Sequence, residues 1–183
     1  MIKEKHPNLV FLMKTKLRSK KMEWIRCKLG FKNLFVVDSV GKGGGLALFW
    51  NEDVNVDIQN FSPRHINGLV TTPHVDQQWR FTGFYGQLDG SKRSEGWELL
   101  KHLATLTIEP WLCIGDFNEV LTMSEKWGGG GRANSQMREF QLALETCDFS
   151  DLGYIGPKFT WSNCRDNNEF IKERLDRGVA NTS

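Results

Sequence analysis

Between residues 34 and 86 the sequence passes through five strand-like runs with little between them. LFVVDS (34–39) and LALFW (46–50) are apolar over most of their length. In VNVDIQNF (54–61), Val54, Val56 and Ile58 alternate with Asn55, Asp57 and Gln59, the period of a strand with one buried face. NGLVTT and WRFTGFYG continue the series, and GKGGG (41–45) reads as a turn. Such short connections join antiparallel neighbours, because parallel strands need a crossover of a dozen or more residues. Doubly wound parallel folds are thereby disfavoured.

The flanking segments supply the helices. LVFLM (9–13) reads as a fully buried strand. Ser19 is placed to cap a helix to Leu29, with Met22, Ile25 and Leu29 on one face and Gly30 as its stop. A second helix is expected from Ser91 to Leu106, with Trp97, Leu100, Leu103 and Ala104 inward. A third starts near Asn134 or Ser135 and carries the stripe Met137, Phe140, Ala143, Leu144 and Cys147. WLCIG is another strand, EKWGGGGR (125–132) a glycine-rich loop, and DLGYIGPKFTWSN and RLDRGVANTS two further short strands. Many antiparallel strands with a few helices predict an α/β (α+β) fold of two sheets packed face to face, helices outside. The 183 residues fit one domain, and no repeat or boundary is visible.

Composition narrows the function classes. With 39% apolar and 25% charged residues the chain is neither disordered nor of a membrane class, and a net charge of +2 gives no global nucleic-acid footprint. Basic residues do cluster at Lys14, Lys16, Arg18, Lys20 and Lys21, readable as a solvated helix entrance or as a phosphate-facing patch. The four cysteines form no C-x-x-C pair and no zinc spacing; Cys113 and Cys147 read as buried thiols. The N-terminal apolar run is too short for a secretory signal, and a secreted location is not expected.

The segment IGDFNE ends an apolar strand in polar groups. Asp116 can accept a proton or orient a water, and Asn118 can donate to a phosphate oxygen. Their i, i+2 spacing puts both on one side if the strand continues, with Phe117 turned into packing. Gly, Asp and Asn are also common turn formers, so a plain turn or cap remains open.

Other segments bear on that choice: NLVFLMKTKL (8–17), VGKGGGLALFW (40–50), WRFTGFYG (79–86), PWLCIGDFNEVL (110–121), EKWGGGGR, SDLGYIGPKFTWSN (150–163) and ERLDR (173–177). In this order, over nearly the whole chain, they resemble the endonuclease/exonuclease/phosphatase superfamily of abasic-site endonucleases and DNase I. Within it they are most similar to the endonuclease domain of plant non-LTR (LINE-type) retrotransposons. The resemblance implies a four-layered α/β sandwich and hydrolysis of a DNA phosphodiester with Mg²⁺ or Mn²⁺, without a small-molecule cofactor or a membrane. It implies that Asp116 orients or deprotonates the attacking water, that Asn118 hydrogen-bonds at the reacting centre, that the Tyr85 hydroxyl contacts the scissile phosphate, and that Asp176 orients a downstream histidine. Lys14, Lys16 and Trp161 fall in segments that would meet substrate, although Trp161 in its F-T-W run reads chiefly as core. A chromosomal target implies a nuclear location.

Three departures change the expectation. The family's M-E-T-K, whose glutamate is a principal metal ligand, is here Met13-Lys14-Thr15-Lys16, so no intact metal set is expected. An ammonium cannot coordinate Mg²⁺ and repels it at short range. An early strand carrying an asparagine, and the closing S-D-H motif, are expected to be missing, which makes residues 1–183 an incomplete domain; none of His6, His65, His74 or His102 is in a matching position. The reading is a domain descended from DNA-nicking, metal-dependent phosphodiesterases, expected to be inactive or impaired. The alternative is a non-catalytic nucleic-acid-binding or structural remnant.

Overall fold

A computed structural model describes residues 2–41, 43–73, 75–106, 108–165 and 169–181; Lys42 of the GKGGG turn and His74 lie outside them. The chain divides into two compact units, Met1–Phe84 and Tyr85–Ser183.

The first unit contains a single helical turn α1 (Ile2–Lys5), β1 (Leu9–Met13), α2 (Ser19–Leu29), β2 (Asn33–Val37), β3 (Leu46–Trp50), β4 (Asn55–Ser62), β5 (His65–Thr72) and β6 (Val75–Tyr85), whose last residue opens the second unit. β3 lies between β1 and β2 and is antiparallel to both, pairing Met13 and Val37 with Leu46. This explains a difference from the sequence reading. LVFLM is half-buried throughout because β1 has one strand neighbour in this sheet, whereas the central β3 buries four of its five residues.

One face of that sheet presents Val10, Leu12, Leu34, Val36, Ala47 and Phe49 to Met22, Ile25 and Leu29 of α2. The other face meets the β4–β5–β6 sheet, with Phe11 edge-on to Phe81 at 6.2 Å and Phe35 to Phe61 at 5.0 Å between ring centroids. Gly83 permits this approach: a Cβ there would sit 2.3 Å from the Phe11 ring. Helix, sheet and sheet therefore stack in three layers within this unit, the face-to-face arrangement expected from the strand order.

The start of α2 differs from expectation. Ser19 is the first helical residue, not the cap, and its backbone N–H and its hydroxyl both donate to Asp38 Oδ1 at 2.7 and 2.6 Å. A carboxylate from the end of β2 thus supplies the cap that the local sequence lacks. Gly30 closes the helix as predicted, at φ +84°.

The second unit contains α3 (Arg93–Ala104), β7 (Trp111–Asp116), β8 (Lys126–Trp127), α4 (Asn134–Thr146), β9 (Ser150–Asp151), β10 (Trp161–Ser162), β11 (Lys172–Glu173) and β12 (Asp176–Ala180). A 3₁₀ turn at Gly90–Lys92 precedes α3, so the α-helix starts later than Ser91. β12 lies between β7 and β9, antiparallel to both, and β10, β11 and β8 form a second small antiparallel sheet. The helices pack through Trp97 stacked on Phe140 at 4.6 Å, with Phe117 5.4 Å from the same ring. Cys113 and Cys147 are buried thiols, as expected, while Cys27 and Cys164 are exposed. Among the described residues no helix is long and apolar enough to cross a membrane.

Candidate active site

The site grows from the end of β7. Register across β7 and β12 sets Asp116 directly opposite Asp176, Gly115 opposite Arg177 and Ile114 opposite Gly178. Directly opposed residues share a face of the sheet, so two carboxylates converge that the sequence holds far apart. Asp116 is 2% exposed, and Asp176 is half-buried.

Beyond Asp116 the strand does not continue. Asn118 adopts a left-handed backbone at φ +56°, open to asparagine at less cost than to most residues. Its N–H turns back and donates to Asp116 Oδ1 at 2.8 Å, and its side-chain Nδ2 donates to the Gly86 carbonyl at 2.9 Å. The i, i+2 argument from a continuing strand therefore fails, and the turn reading describes the backbone. The turn nevertheless buries Asn118 beside Asp116, and Phe117 goes into the core. Gly86 also donates its N–H to the Asp116 carbonyl at 2.7 Å, and a Cβ on it would lie 2.3 Å from the Phe117 oxygen. The buried Tyr85, last residue of β6, is thereby tied to the same turn through its chain neighbour.

Asp176 is held from the other side. The Thr160 hydroxyl accepts the N–H groups of Leu175 and Asp176, both at 3.0 Å, and the Thr160 N–H donates to the Glu173 carbonyl. Sequence reasoning passed over Thr160; its place in F-T-W was the available signal. Trp161, read chiefly as core, is instead 41% exposed. It sits on β10, a two-residue strand, and lines an open cavity of about 230 Å³ with Lys158, Thr160 and Lys172.

A second feature missed from sequence is a buried ion cluster beneath the site. Arg177 and Arg174 both donate to Glu125 and to Asp151, at 2.7 to 3.2 Å. Burial by itself would raise the carboxyls of Glu125 and Asp151, yet the two guanidiniums hold both below their ordinary values. Nearby, Glu119 is fully buried against Arg93, and Glu173 binds Lys126 and Arg132 at 2.6 Å each. The motifs ERLDR and EKWGGGGR thus interlock through charge, and the strand carrying Asp176 is anchored on both flanks.

Lys14 and Lys16 belong to the first unit. Both are exposed and left-handed, at φ +55° and +52°. The turn is clamped by the glycine run: Thr15 N–H donates to the Gly45 carbonyl at 3.1 Å and Lys16 N–H to that of Gly44 at 3.0 Å. A Cβ on Gly45 would fall 2.4 Å from Thr15 Oγ1. Strained backbone of this kind persists only where the surroundings enforce it.

Among the described residues no group of three or more His, Cys, Asp or Glu side chains is arranged to hold an ion. The position that the resemblance gives to the principal ligand carries the ammonium of Lys14. What the geometry does provide is an acidic pair, one carboxylate of which is oriented by a backbone N–H, beside a buried amide and a buried phenol.

No family model and no curated protein matches the sequence. Solved structures do match. The endonuclease domain of TRAS1, a telomere-specific non-LTR retrotransposon, superposes with a TM-score of 0.69 at 12% identity, over 99% of this chain and 76% of that one. An AP endonuclease from Archaeoglobus fulgidus gives 0.68 at 16% identity, over 98% and 78%. The human Nocturnin catalytic domain gives 0.63 at 13%, over 99% and 72%. At such identities the likeness is one of fold.

Proposed function

We propose, from a fold shared with endonucleases of the endonuclease/exonuclease/phosphatase superfamily, that the chain is a DNA phosphodiester-recognising domain, descended from retrotransposon-type nicking endonucleases, whose own hydrolytic activity is lost or severely impaired. The observation that carries this is the contrast between two turns. Asp116, Asn118 and Asp176 are held together by register and hydrogen bonds. The turn after β1 is equally well held but presents Lys14.

In this reading the parts have separable roles. The Asp116 carboxylate, fixed by the Asn118 N–H, orients a water. The Asn118 amide, through the N–H not taken by the Gly86 carbonyl, and the Tyr85 hydroxyl donate to phosphoryl oxygens, and Asp176 adds a second carboxylate on the same face of the sheet. Donors of this kind stabilise charge as it builds on a phosphate only if the attacking hydroxide is also supplied. A metal does this in the retrotransposon-type enzymes that the sequence resembles. With Lys14 where those enzymes carry a carboxylate ligand, metal binding is weakened in this reading and phosphate recognition outlasts hydrolysis. Lys14 and Lys16 support the binding half of the proposal by adding positive charge at a rigid turn. DNA as ligand makes the nucleus the proposed compartment.

Supercoiled plasmid incubated with Mg²⁺ or Mn²⁺ tests this. Nicking at background level is expected; robust nicking that Asp116→Ala abolishes overturns the loss of activity. DNA binding that weakens steeply with salt is expected alongside, and salt-independent binding or none overturns the recognition role.

A further inference from the structure

Helix α2 has two unlike faces. Met22, Ile25 and Leu29 are packed against the sheet. The outer face carries Lys20, Lys21, Trp24 and Lys28, all exposed and spaced by three and four residues, so that they form one stripe. Trp24 is 53% exposed, with Lys21 Nζ 4.9 Å and Lys28 Nζ 4.7 Å from its ring centroid. Arg18, Lys20, Lys21 and Trp24 line one open cavity of about 420 Å³. The helix has one acid, Glu23, and Arg26 engages it at 2.8 and 2.5 Å.

This stripe is not explained by helix stability. Asp38 caps the N-terminal end and attracts Arg18, but Lys20 and Lys21 stand where the macrodipole disfavours positive charge, and the first turn itself holds no acid. A large exposed indole is likewise unneeded by the core, which α2 serves with its other face. Residues that work against their local element are candidates for function.

We infer that Trp24 and the cations around it form a contact site for single-stranded nucleic acid, in which an unpaired base stacks on the indole while Arg18, Lys20, Lys21 and Lys28 meet the flanking phosphates. Stacking needs an aromatic face and tracks no particular sequence, and the backbone needs closely spaced cations; on α2 the Lys21 and Lys28 ammoniums that lie over the exposed indole would turn to phosphate as a base takes their place. A membrane surface fits less well, because the apolar face of the helix is already buried. An acidic peptide would satisfy the cations and leave the indole without a stacking partner. The inference rests on nucleic acid being the ligand class, as proposed above, and not on the state of the Asp116–Asp176 pair.

The test is fluorescence anisotropy of the full chain with a labelled oligothymidylate of about 12 nucleotides, and with a sugar–phosphate chain of equal length lacking bases. Trp24→Ala is expected to weaken the oligothymidylate by about fivefold or more and to leave the base-free chain unchanged. The triple variant Lys20→Gln/Lys21→Gln/Lys28→Gln is expected to flatten the log K against log salt slope by about 2. Arg138→Gln, an exposed cation on α4 outside both sites, is the charge control: affinity kept there and lost in Trp24→Ala assigns the contact to the helix. Wild-type affinity in Trp24→Ala, equal competition by polyglutamate, or an equal loss in Arg138→Gln overturns the inference. All these helix positions are exposed, and circular dichroism checks that the variants are folded.

Discussion

Asp116 and Asp176 are direct partners across the antiparallel pair β7–β12. One closes its strand and the other opens its own, so a single register places both carboxylates on one face. A slip of one residue would send one of them to the opposite face. What holds that register is therefore what holds the site.

Thr160 is one such support, because it accepts the N–H groups of Leu175 and Asp176. Thr160→Val is expected to cost about 0.5–1.5 kcal/mol in urea denaturation, and Thr160→Ser to cost less because the hydroxyl remains.

Gly86 is another. Its N–H and carbonyl both bond within the Asp116–Asn118 turn, and the Phe117 carbonyl occupies the space a methyl would need. Gly86→Ala is expected to destabilise by about 1–3 kcal/mol or more, with a changed near-ultraviolet dichroism from the displaced Phe117 and its aromatic neighbours.

The Glu125 carboxylate bridges two buried guanidiniums, whose second counter-charge is Asp151. Glu125→Ala leaves Arg174 and Arg177 with Asp151 as their shared counter-charge. Breaking buried pairs in this way costs about 3–5 kcal/mol, readable as a lowered denaturant midpoint.

Two pH windows follow from the buried groups. Burial pushes the His65 imidazole down to about 4, and its ring bonds Ser62 and Asn60 at 2.8 Å each, which suits the neutral form. The unfolded chain takes up this proton near pH 6.5. Stability is then complete above about 6.5 and declines as pH falls toward about 4. Glu125 and Asp151, held below their ordinary values, contribute above the unfolded carboxyl range and lose that contribution on further acidification. Melting temperature against pH is expected to fall in both windows, and His65→Gln to flatten the upper one.

Lys14→Glu puts a hard oxygen donor, the type the resembled endonucleases carry there, on a turn already held by Gly44 and Gly45. Calorimetric titration with Mn²⁺ is expected to show tighter binding in this variant than in the original chain.

Much of this was legible in local pattern. The alternation in 54–61, the stripe at Met137, Phe140 and Leu144, and Gly30 as a helix stop all depend on neighbours within a turn or two. The two-residue strands β8 and β11 were not legible, and the single strand read in DLGYIGPKFTWSN is two separate ones, β9 and β10, because so short a strand shows no period. Trp161 was misjudged for the same reason: an aromatic in an apolar run gives no sign of which side its strand exposes. Asp38 as the cap of α2, and Arg174 and Arg177 as partners of Glu125 and Asp151, join segments that local reasoning treats separately.

Local pattern along the chain set the kinds of element, the chemistry available at IGDFNE and RLDR, and the ammonium of Lys14 where the resemblance expects a carboxylate. Tertiary structure alone decided that Asp116 meets Asp176, that Asn118 leaves the strand to cap its neighbour, and that the glycine run clamps the Lys14–Lys16 turn. Local periodicity fixes which way a side chain points from its own backbone. Partnership between distant segments is set by register and close packing, which exist only once the chain has closed the loops between them.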